Sequence, residues 1–242
     1  MRHHAIAKHI GGRSRQCDAT AVVAAPNGVR AYALLDGVGS TAEVARWTRG
    51  AAHRVAALAA RHRNAEAGLR AAYDHYAARE EPDSPFAPQL PHAAAVVAVS
   101  APGKALSVAW CGDARAYLWA GPGVARLTDD HNHRRAHPPY GRANILTSCL
   151  GSSQTDAEVQ LLHGHEAVES ASRRLGKRGR LLLASDGAYE PIEESTLDLA
   201  DLLVGALEDA ADVTVATAVE LWGTDADNAT VLVADLFRGI HY

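Results

Sequence analysis

The chain has 242 residues, 48% of them apolar and 21% charged, and a formal net charge of −4. That is enough chain to bury a sizeable core in one or two domains, and the charge balance supplies no basic field for nucleic acid. Three scattered cysteines, Cys17, Cys111 and Cys149, exclude a disulfide framework or a Cys-rich zinc site. The start Met1-Arg2-His3-His4-Ala5 lacks the apolar stretch of a secretory signal, and no run approaches the roughly 20 apolar residues of a spanning helix. The expectation is a cytoplasmic protein with no membrane or nucleic-acid partner.

Residues 19–25 and 29–35 are predicted strands joined by the turn Pro26-Asn27-Gly28. Residues 41–62 are a predicted helix with Thr41 as N-cap and Glu43 in its first turn; Val44, Trp47, Ala51, Val55 and Leu58 recur at helical spacing. Residues 65–79 form a second helix, and Glu81–Pro91, with its four prolines, is a loop. Strands are predicted over 93–100, 105–111, 114–120 and 123–127. Residues 129–144 are polar and read as a loop. Residues 156–163 and 180–185 are predicted strands, 195–208 and 211–222 helices, and 228–236 the last strand. No linker divides the chain, so residues 1–242 are expected to form one domain. Strands and helix pairs in this order favour sheets covered by helices over an alternating β-α-β fold.

Aspartates stand at the ends of several predicted strands. Asp36 follows Ala31-Tyr32-Ala33-Leu34-Leu35, Asp113 follows Val108-Ala109-Trp110-Cys111-Gly112, Asp186 follows Leu181-Leu182-Leu183-Ala184-Ser185, and Asp227-Asn228 precedes the last strand. One Asp-Gly at a strand end is by itself a turn. Four such positions spread along the chain converge if the strands share sheet edges, and clustered carboxylates are what Mg²⁺ or Mn²⁺ binds. The pattern predicts a metal-dependent hydrolase.

Seven short motifs in order carry a more specific likeness. They are Arg13-Ser14-Arg15-Gln16-Cys17-Asp18, Leu35-Asp36-Gly37-Val38-Gly39, Cys111-Gly112-Asp113-Ala114-Arg115-Ala116-Tyr117-Leu118 and Leu127-Thr128-Asp129-Asp130-His131-Asn132. Then come Ile145-Leu146-Thr147-Ser148-Cys149-Leu150-Gly151, Leu183-Ala184-Ser185-Asp186-Gly187 and Asp227-Asn228-Ala229-Thr230-Val231. Together they resemble the metal-dependent serine/threonine phosphatases of the protein phosphatase 2C type, in their bacterial form. The resemblance implies an α+β fold, a four-layer α/β/β/α sandwich of two antiparallel sheets flanked by helix pairs. It implies two Mn²⁺ or Mg²⁺ ions with a bridging water, held by Asp36, the Gly37 carbonyl, Asp186 and Asp227, with Asp18 close by. Asp113 and Asp186 would border a third, weaker metal position, and Arg13 would bind the substrate phosphate. The implied partner is a phosphorylated signalling protein, acted on by a monomer.

Cys17 stands where the family usually has an acid, Val38 stands where eukaryotic members carry a histidine, and the segment over 129–144 is short beside the flap of bacterial relatives. Two other readings therefore stay open: an inactive phosphatase-like binding or regulatory protein, and a phosphatase of small phosphate esters. Asp113 is also open to a structural role, such as holding Arg115. His131, His133 and His137 lie in one loop. Their spacing is more economically read as loop anchoring, chiefly by His131, than as a zinc site.

Overall fold

A computed structural model describes residues 3–79, 90–121, 123–176 and 178–237. Ten strands form two five-stranded antiparallel sheets. One sheet holds β1 (His4–His9), β10 (Ala229–Phe237), β9 (Arg178–Ala184), β6 (Arg115–Trp119) and β7 (Val124–Arg126), in that spatial order. The other holds β2 (Ala19–Ala24), β3 (Arg30–Gly37), β4 (Ala93–Ser100), β5 (Leu106–Cys111) and β8 (Glu169–Arg173).

The side-chain alternation of each strand divides the core into three layers. Tyr32, Leu34, Val96, Val108, Leu118, Leu181, Leu183 and Leu232 meet between the sheets. On the opposite face of β3 and β4, Ala31, Ala33, Leu35, Ala95, Val97 and Val99 pack against α1 (Ala42–His62) and α2 (Ala65–Ala77). On the outer face of the first sheet, Leu182, Ala184, Val231 and Val233 pack against α5 (Asp186–Glu193) and α7 (Leu207–Trp222). A strand covered on both faces has no polar side. Ala93–Val99 is accordingly buried without interruption, a continuous apolar run in the sequence. The sandwich expected from the resemblance is the fold observed.

The N-cap at Thr41 is present, its side chain accepting from the Val44 N–H at 3.1 Å. Four assignments made from sequence differ. Residues 156–163 are not a strand but the helix α4 (Asp156–His163), started by a capping box between Thr155 and Glu158. Only Val159 on it is buried, while Leu161 and Leu162 face solvent, so its apolar residues mimic a strand without packing as one. The helix expected over 211–222 is present as α7, begun four residues earlier, but in place of the helix expected over 195–208 stand α5, which was not expected, and the short α6 (Leu199–Leu202). Strands β1 and β8 were not expected. β8, Glu-Ser-Ala-Ser-Arg, is a polar edge strand with no apolar alternation to reveal it. The loop over 129–144 holds one short helix, α3 (His133–Ala136). The predicted loop over 81–91 lies, except for residues 90 and 91, outside the described residues.

Registry brings the strand ends of interest to one edge of the sandwich. Ala184 at the end of β9 pairs with Arg115 at the start of β6 and with Val231 near the start of β10. In the other sheet Asp36 pairs with Ala94, whose neighbour Ala95 pairs with Cys111 at the end of β5. Among the described residues, no helix is long and apolar enough to cross a membrane.

Candidate metal centre

A cleft of ≈ 620 Å³ opens at this edge, and its lining includes Arg13, Asp36, Gly37, Asp113, Asp186 and Asp227. Six of the seven site residues chosen from sequence thus share one cavity. The seventh, Asp18, lies beneath it, 4% exposed. Asn144, Ile145, Leu146, His92 and Cys149 also line it. Ile145, Leu146 and Cys149 belong to one of the seven motifs, whereas His92 and Asn144 carry no signature in the sequence that distinguishes them from ordinary loop residues.

Local structure fixes each acid. Asp36 is the penultimate residue of β3. Asp186 is the first residue of α5, directly after β9, and its Oδ1 accepts from the Gly187 N–H at 2.6 Å. Asp227 Oδ1 likewise accepts from the Asn228 N–H at 2.7 Å, and its Oδ2 pairs with Arg13. Asn228 is a hub: its Oδ1 accepts from the Cys17 N–H at 2.7 Å and its Nδ2 donates to the Ile10 carbonyl at 2.8 Å. It therefore stitches the segment before Asp18 to the segment after Asp227. Asp18 Oδ2 accepts from Ser185 Oγ at 3.0 Å.

The two glycines after the acids are required by close approach. A Cβ on Gly37 would meet Thr48 Oγ1 at 2.6 Å, the Cys17 carbonyl oxygen at 2.8 Å and Val44 Cγ1 at 2.9 Å; one on Gly187 would meet the Asn228 carbonyl oxygen at 2.4 Å. Cys17 itself turns away from the cleft and packs with Val44 and Ala45.

Without a counter-ion this constellation is electrostatically unfavourable. Burial pushes Asp18 up to about 7, and the negative charge of Asp186 adds to it. Asp36 is raised well above the carboxylate range by burial, then by the charges of Asp18, Asp186 and Asp113. Asp113 is raised in the same way by burial and by Asp186 and Asp130, and Asp186 by burial and Asp227. Glu190, next to Asp113 and Asp186 around an adjoining hollow, is pushed up to about 7 by burial and by Asp186. Asp18 Oδ1 is buried with no hydrogen-bond partner. Oxygen donors crowded until they cannot all ionise fit a site for hard dications. As the side chains stand, no three His, Cys, Asp or Glu residues among those described already close around a metal position. The fit rests on donor type, burial and charge. Arg115 does not pair with Asp113. Its guanidinium is held by Asp130 and Glu193, and Asp113 uses its backbone carbonyl to accept from Tyr189 OH at 3.0 Å.

A family model described as Protein phosphatase 2C matches residues 3–136, more than half of the chain. No curated protein sequence gives a significant match. Among solved structures, the S. agalactiae serine/threonine phosphatase superposes with a TM-score of 0.70 at 18% identity, covering 97% of this chain and 98% of that one. The PPM Ser-Thr phosphatase MsPP from Mycobacterium smegmatis gives 0.69 at 23% identity, covering 96% and 97%. The Mycobacterium tuberculosis serine/threonine phosphatase PstP/Ppp gives 0.65 at 23% identity, covering 97% and 98%. At these identities the superpositions establish the fold, and the family match establishes descent: the chain belongs to the protein phosphatase 2C family of phosphoprotein phosphatases.

Proposed function

We propose that the protein is a metal-dependent serine/threonine phosphatase that hydrolyses phosphoserine and phosphothreonine esters with a metal-activated water. The observation that carries this reading is the gathering of Asp18, Asp36, Asp113, Asp186 and Asp227 with Arg13 at one cleft, although they arise from five separate parts of the chain. Asp36, the Gly37 carbonyl, Asp186 and Asp227 would hold two Mn²⁺ or Mg²⁺ ions, with Asp113 bordering a third, weaker position. Such a pair of ions supplies a water of lowered pKa and neutralises phosphoryl oxygens.

The chain's own residues do the rest. The aspartates supply the negative charge that offsets paired dications. At about 4 Å and an effective dielectric of about 20, each unit-charge pair is worth about 4 kcal/mol. Asp18 stays behind them and fixes Ser185, the residue before Asp186, through the Ser185 hydroxyl. Arg13 is half exposed at the mouth of the cleft, so its guanidinium fork can leave Asp227 and take an incoming phosphate by paired, charge-assisted hydrogen bonds. Val38, 52% exposed on the cleft wall, carries no proton, so no histidine general acid stands at that position. Burial pushes the Cys149 thiol up to about 12, which disfavours the thiolate.

The test is release of phosphate from a phosphoserine/phosphothreonine peptide panel and from p-nitrophenyl phosphate, with Mn²⁺ and with excess chelator. Hydrolysis of phosphopeptides that stops on chelation supports the reading. No hydrolysis of either with Mn²⁺ would make the protein a binding or regulatory relative, and hydrolysis of the small ester alone would make it a small-ester phosphatase.

A further inference from the structure

Three histidines of the 129–144 segment meet two more from the end of α4. His131 stacks on His165 with ring centres 4.1 Å apart, and His163 lies 6.2 Å from His165. The five rings divide by their hydrogen bonds. His131 Nε2 lies 3.1 Å from Glu169 Oε2. His165 Nε2 lies 2.7 Å from Thr147 Oγ1, and its Nδ1 lies 2.8 Å from the Glu166 carbonyl. These two anchor the loop, as expected for His131. His133, His137 and His163 make no hydrogen bond through a ring nitrogen among the described residues, and His163 Nδ1 is buried without a partner. Their ring centres form a triangle with sides of 5.4, 6.1 and 6.4 Å.

We propose that His133, His137 and His163 are the protein ligands of a second metal site, separate from the carboxylate cleft, which takes a borderline transition-metal dication such as Zn²⁺ with solvent as fourth ligand. Neutral imidazoles select zinc, nickel or copper over Mg²⁺ and Mn²⁺. The local geometry suits the task. The His137 N–H donates to the His133 carbonyl at 2.8 Å, closing one helical turn that puts the two side chains on the same side. With metal–nitrogen bonds of about 2.0–2.1 Å, three imidazoles around one ion hold their ring centres roughly 5–5.5 Å apart. His133 and His137 are already at that spacing. No three ligating side chains among the described residues yet close on a point, and this is as true of the cleft aspartates. Closure here needs a movement of roughly 1 Å, and His137, being exposed, has room to make it. Of the two arginines between His133 and His137, Arg135 is engaged by Glu169 at 2.7 and 2.9 Å, and Arg134 lines the hollow shared with Asp113, Asp186 and Glu190.

The site joins two elements that the hydrogen-bond ladder leaves separate. An ion would tie α3 and its flank to the C-terminus of α4. The His133 N–H donates to the Ile145 carbonyl at 2.9 Å, and Ile145 walls the catalytic cleft between Asn144 and Leu146. The ion would thus stiffen one side of the cleft without entering it.

The test titrates the intact protein with Zn²⁺ in saturating Mn²⁺, which keeps the carboxylates filled. Calorimetry reads the binding, and Co²⁺ absorption serves as the spectroscopic signature of imidazole ligation. One Zn²⁺ equivalent is expected. His137→Ala and His163→Ala should weaken it by at least the roughly 10–100-fold that loss of even a supporting partner costs, while His53→Ala, exposed on α1, leaves it unchanged. His137 is exposed, so its variant is expected to fold normally. Zn²⁺ binding to His137→Ala as tight as to the parent, or no Zn²⁺ equivalent at all beside excess Mn²⁺, would overturn the proposal. Phosphatase activity with Mn²⁺ alone should persist in His137→Ala, so the outcome is independent of the function proposed above.

Discussion

Arg13 and Asp227, from opposite ends of the chain, are joined by an ion pair at the mouth of the carboxylate cleft, Arg13 Nη2 donating to Asp227 Oδ2 at 2.5 Å. The two side chains are 50% and 30% exposed, so the pair contributes only about 0–1 kcal/mol to stability. Arg13→Ala should therefore leave the melting temperature nearly unchanged while lowering phosphopeptide turnover by about 10²–10³, with no rescue by added Mn²⁺. Steady-state kinetics and a thermal melt on the same preparation check this. A normal Arg13→Ala beside a crippled Arg15→Ala would hand the phosphate role to Arg15.

Asp227→Asn makes the complementary change. The amide keeps the size of the side chain and an oxygen to accept from the Asn228 N–H, but removes one negative charge from the cleft. The expected loss is in kcat, recovered in part as Mn²⁺ is raised. Kinetics at several Mn²⁺ concentrations decide it, and full activity at low Mn²⁺ would remove Asp227 from the metal ligands.

The raised carboxylates set the pH dependence of the metal-free protein. Asp18 and Glu190, each pushed up to about 7, bind protons more tightly folded than unfolded, as do Asp36 and Asp113. The contribution of Asp18 and Glu190 is fully present below the ordinary carboxylate value and is lost as pH rises through about 7, and that of Asp36 and Asp113 is likewise lost as pH rises. The opposing groups act at lower pH. His131 is held at about 4 by burial. Glu169 is held at about 2 because its bonds to His131 and Arg135 outweigh its burial. Both favour the fold at neutral pH and weaken it on acidification. Chelated protein should melt at a lower temperature at about pH 8 than at about pH 6, and Mn²⁺ should raise the melting temperature more at the higher pH. A Mn²⁺ effect independent of pH would contradict this.

Arg115 is the strongest candidate for a stability determinant. Its side chain is 9% exposed, bonded at Nε and Nη2 to Asp130 and at Nη1 to Glu193, and its guanidinium carbon sits 3.7 Å from the Tyr189 ring centre. Arg115→Ala strands those carboxylates and should cost about 3–5 kcal/mol in denaturant unfolding. Arg115→Lys should recover only part, because one ammonium cannot reproduce a fork that serves two acids and lies over a ring.

The cleft was legible in the sequence because each acid sits at the end of an apolar run. Run and acid are adjacent in the chain, and the sheets bring them to one edge. What was illegible depends on contacts between distant segments. Nothing near Asn228 in the chain announces that its side chain holds Cys17 and Ile10. His163 was hidden behind a mistaken strand. Leu161 and Leu162 face solvent, and the helix start is marked in the sequence by the Thr155-x-x-Glu158 capping box. The β8 edge and the α5 helix, with Pro191 inside it, follow from their partners more than from their own residues.

Strand β10 lies between β1 and β9, so the sheet it completes joins the earliest strand of the chain to two late ones. During synthesis, Asp18 and Asp36 leave the ribosome long before Asp227 and β10. Until β10 inserts, β1 has no neighbour and the early carboxylates lack their counterparts. A growing or truncated chain therefore lacks a complete cleft, which is assembled only when β10 closes the sheet.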